Sequence, residues 1–120
     1  MPSTVQPMIT TADLPRLQRF YTGLLDAKET ERFPQDGAAF FVALRIGDSD
    51  LGLVSDADVE PGGGQRMLIS VDVADVDGLL GRVEVLGGRV EGPPTDMPWG
   101  QRVVHLQDPD GNAVNLTQQL

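Results

Sequence analysis

Arg102-Val103-Val104-His105-Leu106-Gln107, then Asp108-Pro109-Asp110-Gly111-Asn112, then Ala113-Val114-Asn115-Leu116-Thr117 is the stretch that decides the fold. In the flanking segments apolar and polar residues alternate, the two-residue period of a strand with one buried face. Between them, Pro109 presets the first corner of a type I turn, and Gly111 permits the positive φ that a bulged hairpin closure requires. The stretch reads as a β-hairpin. Val104 and Leu106 point to one face and Val103 and His105 to the other.

Upstream of the hairpin, Arg89 to Glu91 reads as a short strand that follows a helix. Asp75 is that helix's N-cap, Val76, Leu79, Leu80, Val83 and Leu86 are its apolar stripe, and Gly87-Gly88 ends it in left-handed geometry. A strand from Met67 to Val71 leads in. The same order occurs once before. Gln6 to Thr10 is a strand, Asp13 caps a helix with the stripe Leu14, Leu17, Phe20, Tyr21 and Leu24, and Pro15 sits in its first turn, where a missing N–H is tolerated. Strands at Lys28 to Phe33, Ala39 to Ile46 and Asp50 to Val54 follow, separated by Gln35-Asp36-Gly37 and Gly47-Asp48-Ser49.

The chain is therefore an internal duplication of eight strands and two helices. Asp13 matches Asp75, Asp48-Ser49-Asp50 matches Asp108-Pro109-Asp110, and Leu51-Gly52-Leu53 matches Val114-Asn115-Leu116. This alignment places Arg45 and His105 at equivalent positions. The expected organisation is one domain over residues 1–120, with modules at about 3–55 and 66–118 and a polar, glycine-rich linker at 56–65.

Length and charge narrow the function. A chain of 120 residues can bury a core without staples. There is no cysteine, which excludes disulfides, thiolate metal sites and cysteine nucleophiles. A net charge of −9 repels phosphate backbones and anionic lipid, so neither nucleic acid nor membrane is an expected partner. The same charge either attracts a cationic ligand or serves solubility. Without a leader-like start or a long apolar run, the expected setting is cytoplasmic.

Asp13 with Phe20-Tyr21, Gly87-Gly88, Pro98-Trp99-Gly100, and Asp108-Pro109-Asp110-Gly111-Asn112 before Val114-Asn115-Leu116 together resemble the vicinal oxygen chelate superfamily, which includes glyoxalases, extradiol dioxygenases, fosfomycin-modifying enzymes and bleomycin-resistance proteins. The resemblance implies an α+β fold in which two βαβββ modules form a curved mixed sheet around a groove, and it implies a homodimer. It also implies four groove positions where relatives hold a metal ion with His, Gln or Glu. Counting back seven residues from each capping aspartate gives Gln6 and Leu68, and the middle of each final strand gives Gly52 and Asn115. Leucine and glycine offer no side-chain donor and asparagine is a weak neutral ligand, so no metal and no other cofactor is expected. A two-residue shift would substitute Arg66 for Leu68, which repels a cation.

Strand alternation adds Phe41, Ala43, Arg45, Val103 and His105 to the groove face, with Met8 and Leu68 on an apolar floor. Arg45 and His105 either orient a ligand carbonyl or phenol or lie at a solvated strand surface. His105, the only histidine, is a candidate general base without an identified nucleophile. Trp99 either stacks on a planar ligand or plugs the end of the sheet. Phe20 and Tyr21 belong to the core. The expected function is metal-free sequestration of a small organic ligand, planar or cationic, of the bleomycin-resistance kind. The alternative is a metal-independent isomerase or lyase using His105 as base.

Overall fold

The computed structural model describes residues 6–62 and 68–120. The chain divides into two compact units, Met1–Glu60 and Pro61–Leu120. The expected strand start at Met67, the shifted position Arg66 and the ends of the expected linker and first module at 63–65 and 1–5 lie outside the described residues.

In the first unit the elements are β1 (Met8–Thr11), α1 (Leu14–Leu25), β2 (Lys28–Phe33), β3 (Phe41–Ile46) and β4 (Ser49–Ser55). Asp13 starts α1 by accepting the Arg16 backbone N–H at 3.2 Å, with Pro15 in the first turn. The whole expected stripe, Leu14, Leu17, Phe20, Tyr21 and Leu24, is buried, each side chain contributing about 1.5–3 kcal/mol of apolar burial. Phe20 and Tyr21 meet edge to face at 5.1 Å in this core. The helix ends at Asp26, whose φ of 54° makes it the one non-glycine residue with positive φ among the described residues.

The helix packs on a mixed sheet of strand order β1-β4-β3-β2, in which β1 runs parallel to β4 and the other pairs are antiparallel. Val42, Leu44, Leu51 and Leu53 are buried beneath the helix. Phe41, Ala43, Arg45 and Gly52 alternate with them and so occupy the opposite, helix-free face.

The second unit contains β5 (Ile69–Asp72), α2 (Val76–Val85), β6 (Arg89–Val90), β7 (Thr95–Asp96), β8 (Gln101–Gln107) and β9 (Ala113–Gln119). Its sheet has the order β5-β9-β8-β6, with β7 also paired to β8. Among the described residues there are thus nine strands where eight were expected, because a two-residue strand such as β7 is too short to show a periodicity. The start of α2 is held twice: Asp75 accepts the Gly78 N–H at 3.2 Å, and the Gln118 side-chain carbonyl on β9 accepts the Val76 N–H at 2.8 Å. At its end the Gly88 N–H reaches Val83 O and the Gly87 N–H reaches Glu84 O, with Gly87 at φ 94°, the expected left-handed cap. No helix among the described residues is long and apolar enough to cross a membrane.

The two β-hairpins correct the duplicate alignment. Ile46 pairs with Ser49 across a two-residue turn, Gly47 and Asp48. In the second unit Asp108 N–H meets Asn112 O at 3.0 Å, leaving the three residues 109–111 at the tip. With the caps Asp13 and Asp75 superposed, the parallel rungs Met8–Gly52 and Ser70–Asn115 coincide. Gly52 lies opposite Ala43 and Asn115 opposite His105. The counterpart of His105 is therefore Ala43, and that of Arg45 is Gln107; matching Asp48-Ser49-Asp50 to Asp108-Pro109-Asp110 sets these strands two residues out of register.

Candidate functional site

Strand register builds the helix-free face of the first unit row by row. One row crosses the sheet as Met8, Gly52, Ala43 and Glu31, and the next as Thr10, Val54, Phe41 and Phe33. Glu31 and Phe33 reach this face because a β-bulge at Thr30 lets two residues of β2 oppose one of β3. Glu29, on the other side of the bulge, turns to the helix face and accepts from the Gln18 side chain at 2.8 Å and from Arg32 Nε at 3.3 Å. Those two contacts, Gln18 foremost, hold the Glu29 carboxyl below the usual glutamate range.

Gly52 is the low point of this face. A Cβ there would come within 3.1 Å of Met8 Cγ and 3.4 Å of Phe41 Cε1, so the two side chains close over the position from either side. Met8 is 53% exposed and Phe33 60% exposed, and Phe33 meets Phe40 edge to face at 5.2 Å. Beside them Glu29 to Phe33, Gln35 and Phe41 line an open depression of about 460 Å³. Arg45 does lie on this side of the sheet, but at its end, ion-paired to Asp50 at 3.1 Å. Gln6 precedes β1 and is exposed.

The equivalent face of the second unit is polar. Its rows are Ser70, Asn115 and His105, then Asp72, Thr117, Val103 and Thr95. His105 Nδ1 and Asn115 Oδ1 are 2.6 Å apart, and Thr117 Oγ1 donates to Asp72 Oδ1 at 3.0 Å. Leu68 stands exposed just before β5. Trp99 is 67% exposed and its indole N–H donates to Gln101 at 2.9 Å, so it is no plug at the end of the sheet.

The structure thus brings together Met8, Phe41 and Gly52 in one unit and Val103, His105 and Asn115 in the other, while Gln6, Arg45, Leu68 and Trp99 lie at or beyond the strand ends. Sequence reasoning missed Phe33, Glu31, Ser70 and Thr117. Their signal was strand pairing: each sits directly across from, or in one row with, a residue already singled out.

The sequence pattern of the Glyoxalase/Bleomycin resistance protein/Dioxygenase superfamily matches residues 4–116. The chain belongs to this superfamily. Solved structures of superfamily folds agree. A glyoxalase/bleomycin resistance protein/dioxygenase family enzyme from Burkholderia phytofirmans is 23% identical, with a TM-score of 0.81 over 96% of this chain and 97% of that one. TioX from Micromonospora sp. is also 23% identical, with a TM-score of 0.78 over 99% of this chain and 100% of that one. The fosfomycin resistance protein FosX of Mesorhizobium loti is 20% identical, with a TM-score of 0.75 over 100% and 94%. No curated protein matches the chain.

The superfamily's metal positions do not suit a metal ion here. Gly52 supplies no side chain and its place is taken by Met8 and Phe41 carbon atoms, while Leu68 is a hydrocarbon. Sliding each first strand by two residues substitutes Met8 and Ser70, a thioether and a neutral hydroxyl, which do not replace the missing carboxylate or imidazole. Among the described residues no three His, Cys, Asp or Glu side chains are grouped to hold an ion.

Proposed function

We propose that this superfamily member binds a small organic molecule directly on its side chains, without a metal, in the manner of a resistance protein that sequesters its target. The carrying observation is the chemistry at Gly52, where relatives' ligand position has become an apolar dip between Met8 and Phe41. Phe33 and Met8, both exposed, and the half-buried Phe41 between them offer apolar surface for a planar ligand. Gln6, Gly52 and Arg45 are the other proposed contacts in the first unit; in the second unit, taken by itself, His105 and Asn115 offer hydrogen-bonding groups, with Leu68, Val103 and Trp99 as the remaining proposed contacts. The superfamily's name covers resistance proteins, and a fosfomycin resistance protein shares the fold, which supports this class of role.

Native mass spectrometry tests the reading, with the protein exposed to planar natural products, including bleomycin, before and after chelator treatment. Retention of an intact organic ligand after chelation is the expected result. Stoichiometric uptake of Zn²⁺, Ni²⁺, Mn²⁺ or Fe²⁺ as a condition for binding overturns it. The same spectra read the oligomeric state, for which a homodimer is expected.

The close contact between His105 and Asn115 favours a second reading, a metal-independent isomerase or lyase with His105 as general base. A chemically altered ligand, with turnover lost in His105→Ala while binding persists, is its signature.

A further inference from the structure

The sole histidine of the chain sits on the polar face of β8 with its two ring nitrogens in different situations. Nδ1 lies 2.6 Å from the side-chain carbonyl oxygen of Asn115, directly across the antiparallel pair. A carbonyl oxygen accepts and cannot donate, so a neutral imidazole held here carries its proton on Nδ1. The lone pair is then on Nε2. His105 is exposed, so Nε2 remains open to an incoming molecule. Backbone contacts fix the strand beneath it: the His105 carbonyl accepts the Glu91 N–H at 2.9 Å.

The surroundings select what Nε2 accepts. On the β9 side its row holds Asn115 and Ser70, both neutral; on the other side of β8 stands Glu91, whose carboxylate accepts from the Gln107 side chain, and the next row contains Asp72, whose carboxylate is engaged by Thr117. No cationic side chain stands in these two rows, and the whole chain carries a charge of −9, which disfavours an anionic ligand. A neutral ligand with a strongly donating hydroxyl matches such an acceptor better than a carboxylate does. We propose that His105, held in the Nδ1–H form by Asn115, is the acceptor for an acidic hydroxyl, a phenol or enol, on the bound molecule. The O–H of the ligand donates to Nε2. Should the proton transfer fully, the O–H bond breaks, its electron pair stays on oxygen, and the imidazolium retains the Asn115 contact through Nδ1–H. Asn115 is a positioning residue in this arrangement and His105 the contact.

The inference rests on the ligand-binding reading, and its test separates the two. Long-range ¹H–¹⁵N spectra of the intact labelled protein distinguish the tautomers directly. The expected spectrum has a protonated Nδ1 and an unprotonated Nε2; Asn115→Ala gives a mixture, and Asn115→Asp, which retains an acceptor, restores the single form. Titration with 4-nitrophenol and with its methyl ether 4-nitroanisole follows. The phenol binds about tenfold or more tightly, a preference equivalent to one hydrogen bond of about 1.4 kcal/mol, and His105→Phe removes the preference without removing binding of the ether. Protonation at Nε2 in the unmodified protein overturns the proposal. So does equal affinity for phenol and ether, which leaves the ligand-binding reading standing. Binding of neither probe overturns the phenol assignment itself.

Discussion

Asp108 binds Asn112 twice: one carboxylate oxygen accepts the Asn112 backbone N–H at 2.9 Å and the other accepts its side-chain NH₂ at 2.9 Å. The first oxygen also accepts the Asp110 N–H at 3.0 Å, and Asp108 is 3% exposed. The loop between β8 and β9 is thus closed by a buried carboxylate, and it is this loop that keeps His105 opposite Asn115. Replacing Asp108 with Ala strands three donors. The expected cost is about 2–4 kcal/mol, read as a lowered urea midpoint with unchanged slope.

Gly111 in the same loop has a φ of 83°, and a Cβ there would stand 3.0 Å from the Gly62 backbone. Backbone does not yield as a side-chain tip does. Gly111→Ala is expected to destabilise by about 1–3 kcal/mol, checked by thermal unfolding.

Asp26 presents the opposite case. It closes α1 at a φ of 54°, a conformation that suits glycine, and it places a negative charge at the negative end of the helix dipole. Its contact with Lys28 is exposed on both sides and contributes little. Asp26→Gly is expected to stabilise by about 0.5–1 kcal/mol, measured in the same unfolding assay.

The Glu29 carboxyl titrates below an ordinary glutamate because Gln18 and Arg32 donate to its charged form. A lowered folded-state value means that the contact stabilises the fold above the unfolded value of about 4.3 and that this contribution disappears as pH falls through the lowered one. Carboxyl-carbon NMR across an acid titration checks it. Gln18→Ala is expected to move the midpoint upward, towards the unperturbed glutamate; an unmoved midpoint would contradict the assigned cause.

Gly52→Leu fills the dip beneath Met8 and Phe41. Met8 is largely exposed and has room to swing aside, so the fold is expected to survive. Ligand affinity is expected to drop about tenfold or more, as calorimetry with the ligand identified by mass spectrometry would show. Unchanged affinity would move the binding surface away from this face.

The helices were legible in the sequence because each combines a capping aspartate with an unbroken apolar stripe, and every residue of the first stripe is buried. The Asp108 to Asn112 turn was legible for the same reason, since local chemistry alone determines it. What could not be read was pairing across strands. Matching the two turns by their aspartates displaced Arg45 by two residues from its true counterpart Gln107, and the bulge at Thr30 hid Glu31 and Phe33 from a reading based on alternation. Likewise, Asn115 was visible as a weak metal ligand, but its role beside His105 follows only from the register that sets them opposite each other.

The bulge at Thr30 also makes one short acidic segment serve two surfaces. Two residues apart, Glu29 and Glu31 would share a side in a regular strand; the bulge sends the first to α1 and the second to the exposed rows. The ladder already skips Thr30, pairing Glu29 with Leu44 and Glu31 with Ala43 on consecutive residues of β3. A chain shortened by deletion of Thr30 would therefore keep both carboxylates on their present sides in an unbroken strand. Strand length at this edge is a free variable, whereas the order of the residues around it is not.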